Sequence, residues 1–381
     1  MTGSKIKIIY LLLYMAFATW RVFYNVYLEE NDFTGAQIGI INAIMMATIF
    51  VVVPIWGVIA DKRGIRPTLL IACIVTIALM LFLGHILIFG VLIFYILLLT
   101  IFHQPLGPLT DAMAVEFTSL NKNHHYGSFR LWGSLGWAVA SIIGGFLFMK
   151  FDTKYIFPVA TIFFIGIIPF LIFPIKRKVI YKPHFQPITK ELIFKNKPLM
   201  VFSVLLLLYG VACTPINNYI NLYFTQLKAS HKVIGYAYAI QAISELPFFI
   251  IGDKLVKKYN ARALILISMA AMLIRMLLYG LFPGINLALT LSVLQGIFWS
   301  FFLVGLVNYV QKLLPSGMHA TAQSLFWGIY LGLGQTLGNL SIGYLKDRIG
   351  MANIMFWFSI PIFVLLILFN IYFWKYNPSK K

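Results

Sequence analysis

Long apolar runs alternate with short polar breaks along the whole chain. A helix crosses a bilayer with roughly 20 apolar residues, and about twelve runs reach that length. They cover approximately 6–28, 36–60, 67–84, 91–118, 128–149, 155–175, 198–224, 232–252, 262–282, 285–311, 320–345 and 353–374. A transmembrane barrel would show short segments of alternating polarity, and no such pattern is present. The longest polar interruption is KRKVIYKPHFQPITKELIFKNK (176–197), which contains Pro183 and Pro187 and separates six runs from six. The pattern predicts an all-α integral membrane fold of twelve transmembrane helices in two six-helix bundles. Residues 1–175 would form the N-terminal bundle, 176–197 a basic cytoplasmic linker and 198–381 the C-terminal bundle. Two pseudo-equivalent halves are a layout of secondary transporters.

Composition agrees with lipid as the solvent. The 381 residues are 61% hydrophobic and 11% charged, with a mean hydropathy of +0.88. The net charge of +19 invites a nucleic-acid partner, but its placement argues for membrane topology instead. Lys5, Lys7, Lys62, Arg63, Arg66 and the basic linker fall on one side, whereas the other side holds few bases and the acidic cluster Glu29, Glu30 and Asp32. Lys/Arg-rich loops face the cytoplasm. Both termini are therefore expected in the cytoplasm, and the chain in the cell (inner or plasma) membrane. Cys73 and Cys213 lie in different runs, so no disulfide framework is expected. No Walker loop, metal-ligand spacing or paired nucleophile is present, which argues against an enzyme. The bilayer and a small molecule are the expected partners, and no cofactor is expected beyond a coupled proton.

Six ionisable residues stand inside the apolar runs: Asp111, Glu116, Glu245, Arg21, Arg130 and Arg275, with His103 a further candidate. Charges at membrane depth are costly and normally face one another or a watery cavity. The set reads either as a substrate- and proton-binding centre or as static interhelical pairs. Arg130, Ser134 and Trp137 fall at i, i+4 and i+7 on one helical face. A guanidinium fork beside an indole suits a polar, ringed ligand. Asp111 follows HQPLGPLT, where Pro105 and Pro108 must disturb the helix. It is favoured for the cavity over Glu116, which reads as a gate or a surface pair. Glu245 lies in IQAISELPFF, an apolar setting that penalises the charged carboxylate and lets it load and release a proton near neutral pH. Arg275 needs an anion, with Glu245 the first expected partner and a bound substrate the second. Arg21, followed by Tyr24 and Asn25 at i+3 and i+4, either lines the outer half of the cavity or snorkels outward. His103 reads equally as a hydrogen-bonded core histidine.

GVIADKRGIRP (57–67) resembles the signature loop between helices two and three of the major facilitator superfamily. A weaker echo, GYLKDRIG (343–350), shares its G-x-x-x-D-[KR]-x-G spacing near the other end of the chain. The resemblance implies the major facilitator fold and a conformational gate motif. In it Gly57 permits close helix approach, Asp61 meets a neighbouring helix end, and basic residues including Arg63, before Gly64, hold the cytoplasmic face. YGSFRLWGSLGWAVASIIGG and PLGPLTDAMAVEF resemble helices five and four of the branch containing lactose permease, the nucleoside–proton symporters and the phenylpropionate permeases. That implies a substrate-binding cation at Arg130, a neighbour at Ser134 and a stacking platform at Trp137. It also implies Asp111 as partner of Arg130, a functional arginine at Arg275, and a monomer.

The chain departs from the branch in LQGIFWSFF, where Gln295 and Phe298 replace titrating residues. Proton coupling is therefore expected through Glu245, with Asp111 and Glu116 as further candidates. The expected activity is proton-coupled import, by alternating access, of a small polar solute such as a sugar or oligosaccharide. Arg130, Trp137, Ser134, Arg275, Arg21, Tyr24 and Asn25 would bind it. A nucleoside or aromatic carboxylate symporter, a drug or metabolite exporter and a lipid or peptide flippase are the alternatives.

Overall fold

The computed structural model describes residues 3–121, 126–172, 196–310 and 325–376, with the side chains of 249–250, 252–253 and 256–257 also left aside. The expected linker lies outside the described residues except for Asn196 and Lys197. Among the described residues every regular element is helical. In chain order they are α1 (Gly3–Glu30), α2 (Gly35–Arg63), α3 (Ile65–Leu83), α4 (Phe89–His103), α5 (Leu106–Leu120), α6 (Tyr126–Lys150) and α7 (Ile156–Ile172). Then follow α8 (Lys197–Gln226), α9 (His231–Leu281), α10 (Ile285–Leu291), α11 (Leu294–Val310), a π-helical stretch Gly328–Gly334 and α12 (Gln335–Lys375). Ten stretches among the described residues are long and apolar enough to cross a membrane. The last of them, Leu325–Lys375, reverses at Gly350, and the arm of α9 before Asn260 is a further helix. Bulky apolar side chains face outward, among them Phe94 (75% exposed) and Trp374 (72%). That is the arrangement a lipid solvent demands, because helices leave no backbone polar group unpaired there.

Local sequence explains the boundaries. Thr34 and Gln37 form a reciprocal capping box at the start of α2. The predicted 91–118 helix is divided at Gln104 and Pro105, so α4 and α5 run on as two pieces. Pro108 sits within the first turn of α5, where a missing N–H costs nothing. Gly64 (φ 93°), Asn260 (φ 64°) and Gly350 (φ 75°) each turn the chain back on itself through a single residue of positive φ. Asn260 offsets the strain of that conformation by capping the next arm, accepting from Arg262 N (3.1 Å) and Ala263 N (3.0 Å) through Oδ1. Cys73 and Cys213 are buried and free.

Helices of the N-terminal half (α1–α7) and the C-terminal half (α8–α12) meet closely at the end that carries the α1–α2 turn. Gly39 and Gly343 touch backbone to backbone: a Cβ on Gly39 would lie 2.7 Å from the Gly343 Cα. Gly35 N donates to Asp347 Oδ2 (2.6 Å) at the start of α2, where a carboxylate suits the helix dipole. Lys346 pairs with Glu29 (2.6 Å), and Glu30 takes His231 Nε2 (2.9 Å) and Thr153 Oγ1 (2.5 Å). A Cβ on Gly145 would meet the His231 carbonyl at 2.9 Å. Deeper in, an amide belt joins the halves. Asn42 Nδ2 donates to Asn25 Oδ1 (3.0 Å), Asn25 Nδ2 to the Asn218 carbonyl (2.6 Å), and Asn221 Nδ2 to the Val22 carbonyl (2.9 Å). Asn218 Nδ2 reaches on to Gln335 (3.2 Å) and Asn339 (3.1 Å) of α12.

Gly343→Leu is expected to hold this end open. Its side chain has no room against the α2 backbone, so transport should fall by about five- to 150-fold, the equivalent of an overpacking cost of some 1–3 kcal/mol. A cysteine placed beside Asp347 should become reactive to a bulky thiol reagent, and unchanged reactivity would show that the contact does not seal this end.

Candidate substrate site

The centre of the molecule is assembled on α1. Tyr10, Tyr14, Phe17 and Arg21 recur every three or four residues and form one stripe. The Tyr10 hydroxyl donates to Asp111 Oδ1 (2.6 Å), and Tyr126, at the start of α6, donates to the same oxygen (3.0 Å). Tyr10 and Tyr14 stack with ring centres 6.1 Å apart. One turn into α6, the Arg130 guanidinium lies 4.4 Å from the centre of the Tyr14 ring, a cation–π contact. Asp111 and Glu245 are both within electrostatic reach of Arg130. Arg130 Nη1 is nevertheless buried without a hydrogen-bond partner.

The structure thus sets Asp111 and Glu245 within electrostatic reach of Arg130 without an ion pair between them, and Arg130 and Asp111 belong to the N-terminal half and Glu245 to the C-terminal half. Ser134 is buried on the α6 face below Arg130. Trp137 packs against the small cluster of Ala138, Ala239 and Ala242, which joins α6 to α9 at the seam between the halves. Arg21 is half-buried. Its Nη2 makes a long contact with Gln104 Oε1 (3.5 Å), its Nε has no partner, and it lies within electrostatic reach of Tyr14. It therefore points inward rather than snorkelling.

Other expected members sit elsewhere. Arg275 is fully buried and does not meet Glu245. Its Nη1 donates to Gln295 Oε1 (2.5 Å) and its Nε to the Tyr279 hydroxyl (3.1 Å). Gln295, expected only as a non-titrating replacement, is the partner because the α10–α11 segment folds against α9. Tyr24 is core rather than lining: its ring packs on Trp20 (5.3 Å) and Phe157 (6.0 Å). A three-residue step from Arg21 turns it toward α7, whereas the four-residue step turns Asn25 into the amide belt. Glu116 lies toward the opposite end, half-buried within electrostatic reach of Arg66. His103 is buried against Phe17 (4.8 Å) and Trp20 (5.0 Å), with no hydrogen-bond partner on either ring nitrogen.

In the motif GVIADKRG, Asp61, Arg63 and Gly64 are exposed, and a Cβ on Gly57 would meet nothing within 4 Å. Here the close glycine contact and the helix-end carboxylate belong to the echo, at Gly343 and Asp347. Sequence reading passed over Tyr10, Tyr14, Tyr126 and the amide belt. The tyrosines on α1 carried a legible signal, their helical spacing with Arg21.

Two helical halves closed against each other at one end, with charged groups of both within electrostatic reach of one another, define a multi-pass membrane transporter. The MFS_1-like family model matches residues 4–358, and the chain belongs to that family, within the major facilitator fold. It is 27% identical to the maltose permease of Geobacillus stearothermophilus over 92% of this chain and 89% of that one. It is 26% identical to the uncharacterized transporter YwbF of Bacillus subtilis (strain 168), over 87% and 83% of the two chains. The crystal structure of the nucleoside transporter NupG matches with a TM-score of 0.84 at 18% identity, covering 97% of this chain and 98% of that one.

Proposed function

We propose that this transporter works by alternating access and imports a small polar solute together with a proton. The observation that carries the reading is that Arg130 of one half has, within electrostatic reach, Asp111 of the same half and Glu245 of the other. A ligand or proton that changes this contact biases the packing of the two halves, which is what coupling requires. Arg130 receives the solute, and Trp137, at the seam, offers its face to a ring. Glu245 takes up the proton. Its carboxylate makes no hydrogen bond or ion pair among the described residues, so its charge is uncompensated unless Arg130 or a proton answers it. With the amino terminus on the cytoplasmic side of the cell membrane, the closed end faces outward.

Similarity to a maltose permease and to a nucleoside transporter supports a hydroxylated, ringed solute, and a sugar or oligosaccharide is the leading class. The amide belt suits that class, since each amide offers both donor and acceptor to hydroxyls once the closed end parts. Monomeric chains would suffice, because both halves of the site come from one chain. The test is uptake by proteoliposomes of labelled maltose, xanthosine and 3-phenylpropionate, with and without a protonophore. Uptake that collapses with the proton gradient supports the reading, and gradient-independent uptake refutes the coupling. Uptake of none of them points to export.

A further inference from the structure

The interior holds more fixed positive charge than negative. Of the charged residues inside the apolar runs, Glu116 lies toward the opposite end within electrostatic reach of Arg66, which leaves Arg21, Arg130 and Arg275 against the carboxylates of Asp111 and Glu245. None of the three guanidiniums forms an ion pair with a carboxylate among the described residues. Their hydrogen-bond and ring partners are neutral: Gln104 for Arg21, Gln295 and Tyr279 for Arg275, and the Tyr14 ring for Arg130. Each keeps one buried nitrogen without a partner: Arg21 Nε, Arg130 Nη1 and Arg275 Nη2. A buried cation left unpaired is strongly destabilising, and its five donors fit a carboxylate in a bidentate fork. Arg275 is sealed inside the C-terminal half. The two that remain half-accessible, Arg21 and Arg130, are both within electrostatic reach of Tyr14.

We infer that the solute is an organic anion whose carboxylate is received by Arg130, with Arg21 supplying the second positive charge. This rests on the transport reading above and adds to it that the solute carries a carboxylate, as a sugar acid or an aromatic acid does. The proton fits the same account. When Glu245 is protonated, the centre gains a unit of positive charge, so the anion binds best to the proton-loaded protein. The proton and the singly charged acid then cross together without net charge.

Matched pairs test the inference in proteoliposomes holding the full chain: glucuronate against glucose, and 3-phenylpropionate against 3-phenylpropanol. The expected result is uptake of the acid of at least one pair, at least about tenfold faster than its neutral twin. Arg21→Gln should raise the half-saturating concentration of that acid about tenfold, and Arg21→Lys should recover part of the loss. Purified Arg21→Gln protein that keeps its melting temperature but also keeps its affinity for the acid overturns the role of Arg21. Proton-dependent uptake of a neutral member at or above the rate of its acid overturns the inference while leaving the transport reading intact. Uptake of no member of either pair, alongside uptake of maltose, does the same. Uptake of none of these solutes overturns both.

Discussion

Arg130→Gln is expected to reduce uptake by about 100-fold or more. Glutamine keeps a donor but loses the charge and the fork. Hydrogen bonds to charged groups contribute about 1.5–3 kcal/mol each, and loss of one or two in the loaded state accounts for that factor at about 1.4 kcal/mol per tenfold. A second effect adds to it. Asp111 would keep only the Tyr10 and Tyr126 hydroxyls, with no cation in reach from α6. Arg130→Lys should restore the charge but not the planar geometry, and recover only a part of the rate. Substrate-protected melting temperature, measured beside uptake, separates lost binding from lost folding. Wild-type uptake by Arg130→Gln would remove this residue from the site.

Glu245→Gln is expected to separate exchange from accumulation. Glutamine copies the protonated carboxyl in shape and cannot release a proton. The variant should therefore exchange internal for external solute at near wild-type rates. Its accumulation against a gradient, driven by an imposed pH difference, should fall to the passive level. The residue is suited to the role by position: it alone among the described carboxyls of the C-terminal half lies away from a helix end, and it is within electrostatic reach of Arg130 of the other half. Retained pH-driven accumulation would move the coupling to Asp111 or to another group.

The membrane-crossing helices were legible because each run of apolar residues admits one solution in lipid, a helix that satisfies its own backbone. The division near Pro105 was legible for the same local reason. The pairing of Arg275 was not. The sequence offered Glu245 because a buried arginine needs an anion, and the two do stand equally far, in residues, from the Asn260 turn. Depth says nothing of azimuth, and the arginine faces α11, where Gln295 waits. Tyr24 failed similarly, since one residue's difference in spacing rotates a side chain by about 100°. The amide belt was illegible for a deeper reason. Its members come from α1, α2, α8 and α12, and no local pattern brings Asn25 beside Asn221 or Asn218 beside Asn339.

The single-residue reversals at Gly64, Asn260 and Gly350 have a practical meaning for anyone handling the protein. Where one residue turns the chain, no slack remains for a protease to grip or an antibody to recognise. Epitope tags, cleavage sites and fluorescent insertions placed at these three points would have to unwind a helix to be accommodated. Reporters of sidedness belong instead at the α8–α9 connection, where several residues separate Gln226 from His231.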